Sequence, residues 1–165
     1  MGLSEDLEKI ALQESELVLP QLDAETAWQL GSLLRTMCIE RSLAVVIDVR
    51  RFGQPLFYAA MEGTTPDNVE WVRRKTNVVA RFHGSSYVAG LKEKLKNETL
   101  TDSHGLAIVD YATHGGSFPL RVAGAGVVGS VTVSGLPQRA DHELVVEALC
   151  VMLGKNYADL KLGAE

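Results

Sequence analysis

The stretch Thr113–Glu143, THGGSFPLRVAGAGVVGSVTVSGLPQRADHE, decides how the rest of the chain is to be read. Within it Val127, Gly129, Val131 and Val133 fall on one side and Ser130, Thr132 and Ser134 on the other. That period of two specifies a strand with one apolar face. Gly124, Gly126 and Gly129 spell G-x-G-x-x-G, but a dinucleotide-binding fingerprint must open a helix after a strand, and here a strand follows. The glycines therefore serve a bend or a close backbone approach. Ser134-Gly135-Leu136-Pro137 makes a turn, and Pro137 suits the first turn of a helix, where its missing N–H is no loss. The spacing then predicts a helix over 137–153. Its buried stripe is Ala140, Leu144, Val145, Ala148, Val151 and Met152, and Asp141 and Glu143 complement the positive end of its dipole. His142, at the start of this helix, reads as a solvated or capping residue.

Working outward, Ser4 caps a first helix whose face is Leu3, Leu7, Ile10, Leu17 and Val18, stopped by Pro20. Asp23 caps a second, with Ala27, Leu30, Gly31, Leu34, Met37 and Cys38 as its stripe. Residues 43–50 and 54–61 are β-rich runs joined by Arg51-Phe52-Gly53, the pattern of a hairpin. Thr65-Pro66-Asp67 opens a third helix. Its inner stripe is read as Val69, Val72, Thr76, Val79, Ala80 and His83, and Glu70 is spaced to pair with Arg74. Gly84 ends it, and Ser85 or Ser86 starts a short fourth helix. Strands do not alternate with helices in this order, so the fold class is α+β, an antiparallel sheet with helices packed across it.

At 165 residues with 46% hydrophobic and 22% charged composition, the chain is expected to form a single domain over 1–165, large enough for a core without staples. A net charge of −5 argues against nucleic acid and anionic membrane surfaces as partners. The acidic N-terminus lacks the pattern of a secretory peptide, and the longest uncharged run is Gly- and Ser-rich and ends at a proline, so no membrane span is expected. Cys38 and Cys150, both in helical patterns, read as buried free thiols. A soluble cytoplasmic protein is the expectation.

Gly115-Gly116, Pro119-Leu120, Gly129-Ser130-Val131-Thr132-Val133-Ser134-Gly135 and Asp141-His142-Glu143 are similar to the haem-degrading, or GlcG/HbpS-like, domain family. Trp71-Val72-Arg73-Arg74-Lys75, Asn77-Val78-Val79, Ser85-Ser86 and Asp110-Tyr111-Ala112 fit its cytosolic branch of short members. The resemblance covers nearly the whole chain. It implies a profilin-like α+β fold, a ring-like or higher homo-oligomer, and a connection to haem, which some secreted members bind.

The residues themselves offer a few sites. His104 and His114 flank the segment entering the Gly-Gly loop, and each has the chemistry of an axial haem ligand or metal ligand; without tight ligand spacing, bonding to loop backbone is the competing reading. His83, on the apolar stripe, reads as a core or interface histidine. Asp102-Ser103-His104 contains triad residue types, but sequence neighbours do not assemble a triad, and it reads as a turn. No G-x-S-x-G elbow is present, and no catalytic signature is found. Arg74, Arg81 and Arg121 are candidates to converge on an anion or, as surface residues, to bridge subunits. Two functions follow. The favoured one is a non-catalytic homo-oligomeric interaction or scaffold protein. The alternative is a small-molecule or haem-binding protein with redox activity, its pocket walled by Tyr111, His114, Gly115, Gly116, Phe118 and Arg121.

Overall fold

In the computed structural model, which describes residues 2–165, the period-two run is β5 (Gly126–Ser134), the central strand of a five-stranded sheet ordered β1-β4-β5-β2-β3. β2 (Val46–Arg51) and β3 (Gln54–Ala60) form the expected hairpin. Its loop is two residues, because Arg51 already pairs with Gln54 and only Phe52 and Gly53 turn the chain. β4 (Ser117–Val122) pairs antiparallel with β5, which in turn pairs antiparallel with β2. Gly124 and Gly126 sit at left-handed φ in the β4–β5 turn, as glycines in a tight reversal should. One strand was not foreseen. β1 (Val18–Leu19) follows α1 (Leu3–Glu16) and pairs parallel with the outer edge of β4, so the sheet is mixed. Two residues are too few to show a period, and so left no pattern to read.

The apolar face of the sheet carries Ile47, Val49, Phe118, Leu120, Val131 and Val133, all within the main core cluster. α2 (Ala24–Arg41) and α6 (Gln138–Leu153) cover it. The six residues of the α2 stripe are buried, and Asp23 caps the helix through the Thr26 N–H at 2.8 Å. Each fully buried leucine of that stripe contributes roughly 1.5–3 kcal/mol.

The other face departs from a simple half-exposed sheet. Ser130, Thr132 and Ser134 are buried beneath α3 (Pro66–Phe82), and Thr132 and Ser134 join a polar seam. Thr76 Oγ1 lies 3.3 Å from Thr132 Oγ1, Thr132 donates to Ser117 Oγ at 2.8 Å, and the Ser117 N–H donates to Ser86 Oγ at 3.1 Å. The last of these belongs to α4 (Ser86–Lys96), capped by Ser85 through the Val88 N–H. On the same face Asp48 is fully buried, its two oxygens each 2.7 Å from Arg50 nitrogens. Buried hydroxyls and carboxylates persist when partnered, as Thr132, Ser117, Ser86 and Asp48 are.

Because α3 packs on polar strand residues, its inner side is rotated from the hydropathy stripe. Val72, Lys75, Thr76, Val78 and Val79 are buried, while Val69, Ala80 and His83 are exposed. His83 is the left-handed C-cap residue of α3, not a core histidine. Glu70 pairs with Arg73, not Arg74, at 3.0 Å. In α6, Ala140 and Val151 are exposed and Asp141 and His142 are buried. α1 starts from Gly2 in place of Ser4. Residues 100–104 form the short helix α5 (Leu100–His104), capped by Thr99 and Asp102, where a turn was expected. After α6, α7 (Tyr157–Leu160) returns the chain beside α1. Cys38 and Cys150 are buried free thiols, and burial pushes each up to about 11. No helix among the described residues is long and apolar enough to cross a membrane.

Candidate functional site

Residues 105–116, between α5 and β4, have no regular structure of their own, and α3 holds them in place. Arg74 donates to the Ile108 carbonyl from Nε at 3.2 Å and Nη2 at 2.7 Å. Arg73 donates to the Val109 carbonyl at 3.0 Å and to the Asp110 carboxylate at 3.0 Å. Asn77 donates to the Asp110 carbonyl at 2.8 Å, and the Ala112 N–H reaches back to the Arg74 carbonyl. The loop is fixed, yet it presents Ile108 at 76% and Val109 at 64% exposure.

His114 lies at the end of this clamped loop. Its ring meets Trp71 edge-on with centroids 5.1 Å apart, and the Arg74 guanidinium sits 4.8 Å from the centre of the same indole. Burial on its inner side, with the Lys75 and Arg74 charges, holds the His114 imidazole below its ordinary pKa. A neutral imidazole at neutral pH keeps a nitrogen lone pair, the form that ligates metals.

Three hollows meet at this ring. One of about 350 Å³ has Leu100, Leu106, Ile108, Tyr111 and Ala112 as its apolar wall, with Arg74 and His114 at its edge. A second, of about 510 Å³, lies on the α4 side between Tyr87, Glu93, Lys94 and Gln138. The third, of about 230 Å³, is polar and runs from Asn68 and Trp71 down to Lys75, Ser134 and Asp141. At its floor Lys75 Nζ is 3.1 Å from Asp141 Oδ2, 3.3 Å from Ser134 Oγ and 3.4 Å from the Val133 carbonyl. The carboxylate also accepts the Leu136 N–H at 3.0 Å and the Gly135 N–H at 3.4 Å. Burial drives both partners toward their neutral forms, Lys75 downward and Asp141 upward, while their mutual attraction opposes it.

Of the residues singled out in the sequence, Tyr111, His114 and Arg74 line one hollow. The others do not join them. Gly115 and Gly116 are buried in backbone packing: a Cβ on Gly115 would stand 2.3 Å from the Gln138 carbonyl, and one on Gly116 would stand 2.3 Å from the Val133 carbonyl. Phe118 is a core residue, 1% exposed, with its ring against His142. Arg121 is on β4, in register with Val18 and Val127, and Arg81 is exposed near the end of α3, so the three arginines do not converge. His104 ends α5, edge-on to Phe82 and 2.6 Å from Ser103 Oγ, and it borders a separate cavity. Asp102 is engaged with Thr99 and not with that histidine, which leaves no triad. Among the described residues no group of three or more His, Cys, Asp or Glu side chains is placed to hold a metal ion.

Sequence reasoning missed Lys75, Asp141 and Trp71. Lys75 had a legible signal: Val72, Lys75, Thr76 and Val79 follow the i, i+3, i+4, i+7 spacing of one helix face.

The family described as haem degrading protein HbpS-like matches residues 22–150. A UPF0303 protein of Burkholderia thailandensis is 62% identical over 162 residues, spanning 98% of each chain. The crystal structure of the Ybr137w protein superposes with a TM-score of 0.83 at 27% identity, covering 90% of this chain and 88% of that one. A crystal structure of a PduOC–heme complex superposes with a TM-score of 0.67 at 15% identity, over 78% of this chain and 93% of that one. That last likeness is one of fold.

Proposed function

The chain belongs to the HbpS-like haem-degrading family, and from that membership we propose that it binds haem, or a closely similar planar tetrapyrrole, beside His114. The observation that carries the reading is the placement of one neutral, solvent-reachable imidazole at the junction of an apolar hollow and an open one. The donor set suits such a ligand. His114 offers a ring nitrogen to iron, Leu106 and Ile108 offer an apolar wall to the macrocycle, and Arg74 offers a cation for a propionate. Arg74 Nη1 carries no bond among the described residues, so it is free for that pairing while Nε and Nη2 hold the Ile108 carbonyl. The two open hollows share Glu93, Thr99, Thr113 and His114, so these residues would border a flat ligand that spanned both. Haem, when bound, supplies a redox-active iron; the chain's own residues bind and orient it. The family's haem connection and the heme complex on a similar fold support this reading.

Hemin titration tests it. Wild type and His104→Ala are expected to give a saturable, shifted Soret band, His114→Ala to lose it, and Ile108→Asp to weaken it at least tenfold. Equal uptake by all four overturns the assignment, since apolar surfaces take up hemin without a ligand.

On the same reading the chain is a single cytoplasmic domain that self-associates. Among the described residues ten large apolar side chains are exposed, and where they adjoin, as Ile108 and Val109 do, they make apolar surface of the kind that marks association sites. Native mass spectrometry is expected to show assemblies above the 17.9 kDa of one chain. Nothing in the site favours a purely scaffolding role over ligand binding.

A further inference from the structure

The tip of the β2–β3 hairpin carries a residue that the fold does not explain. Phe52 has φ +49 and Gly53 has φ +79, so both turn residues are left-handed. Asn, Asp and Gly suit the first of these positions, and a bulky side chain there is strained. Phe52 is nonetheless 80% exposed, the most exposed large hydrophobic side chain among the described residues, and so gains no core contact in return. Its backbone is not loose: the Phe52 N–H donates to the Val128 carbonyl at 3.0 Å, which ties the tip to β5.

Beside this ring a cavity of about 250 Å³ opens between β5 and the C-terminal half of α3. Val79, Ala80, Val127 and Val128 supply its apolar wall, and Phe52 itself borders it. A cavity of about 150 Å³ suffices for a benzene ring, so this one accepts a phenyl group. Projection and hollow therefore lie on one face. A surface that carries both is self-complementary, the requirement for a two-fold contact in which each copy gives what the other receives. Charge does not oppose it, because Arg50, the guanidinium at this cavity, is neutralised by Asp48.

We propose that Phe52 of one copy inserts into the Val79–Ala80–Val128 cavity of a second copy, and the reverse, forming a two-fold interface. This inference rests on the self-association proposed above and is independent of the haem site. The test is sedimentation velocity on the full chain and two variants. Phe52→Asn removes the ring while suiting the left-handed turn, so its melting temperature should stay at or above that of the dissociated wild type. Ala80→Trp fills the cavity from an exposed position and leaves Phe52 intact. In both variants the assembly mass should fall by a factor of two or more. A wild-type assembly that survives unchanged in either variant overturns this interface and leaves self-association standing. A monomeric wild type overturns both.

Discussion

At Gly116 two purposes of glycine coincide. Its φ of +137 lies where L side chains rarely go, and an added Cβ would meet the Val133 carbonyl at 2.3 Å and Lys75 Nζ at 2.9 Å. The neighbours that exclude a side chain are thus the central strand and the buried lysine, not a ligand. Its own carbonyl accepts the Val133 N–H at 3.0 Å, so the residue starts the β4–β5 ladder. Gly116→Ala should lower the melting temperature without ligand, at a cost of at least about 1 kcal/mol. An unchanged melting temperature in the ligand-free protein would show that the strand tolerates a side chain there. His114 needs no such packing: its surroundings hold it against Trp71 while leaving the ring reachable.

Among elements, Lys75 of α3 meets Asp141 of α6 across the end of β5. Breaking a buried pair from one side leaves a lone charge behind, which costs roughly 3–5 kcal/mol. Lys75→Met should therefore lower the urea midpoint strongly at pH 8. Burial already raises the Asp141 pKa, and removing Lys75 takes away the opposing attraction. A carboxyl with a raised folded pKa contributes stability at low pH that is lost as pH rises through that pKa. The deficit of Lys75→Met should consequently be smaller at pH 5 than at pH 8. Adding Asp141→Asn should recover part of it at pH 8, since the amide still accepts the Leu136 N–H without a charge. A deficit that is small or independent of pH would show that water reaches the pair and screens it.

For the whole molecule, closure depends on the two chain ends meeting α6. Gln13 of α1 donates to the Leu160 carbonyl at 2.8 Å and stands 2.7 Å from His142 Nε2. Arg139 holds Asp6 at 2.7 and 3.0 Å and the Gly163 carbonyl at 2.6 Å. His142 is fully buried among the Tyr87 and Phe118 rings, its Nδ1 has no hydrogen-bond partner, and burial, reinforced by Arg139, lowers its pKa to about 3. A histidine depressed in the folded state favours unfolding as soon as the unfolded chain takes up its proton, so stability is lost as pH falls from about 6.5 toward 3. Between pH 7 and pH 5 that loss is about 2 kcal/mol. In His142→Gln, which still offers Gln13 a donor, the pH 7 to pH 5 difference in unfolding free energy should shrink by about this amount. Asp141 and Glu143 are raised by burial and act in the opposite direction, but they remain in both proteins and cancel in the comparison. Identical pH dependence in the two would show that His142 is charged in the folded protein.

The features legible in the sequence are those written by local backbone geometry. The period of two in β5, the caps at Asp23, Thr65 and Ser85, the Pro66 helix start and the two-run hairpin each depend on residues a few positions apart. All appear in the fold. Tertiary structure decided the rest. Ser130, Thr132 and Ser134 read only as the polar face of a strand; burying hydroxyls is costly, and partners on α3 and β4 remove that cost for Thr132 and Ser134. The same holds for Lys75 and Asp141, 66 residues apart. Each alone resembles a surface charge, and hydropathy cannot register that they meet. His142, read as a solvated or capping residue, is buried for the same reason, and the inner side of α3 was misplaced because polar contacts helped set its rotation. A sequence declares its apolar surfaces and its turns directly, since each residue carries that information itself. Polar groups that neutralise one another in the interior become visible only when the chain brings them together.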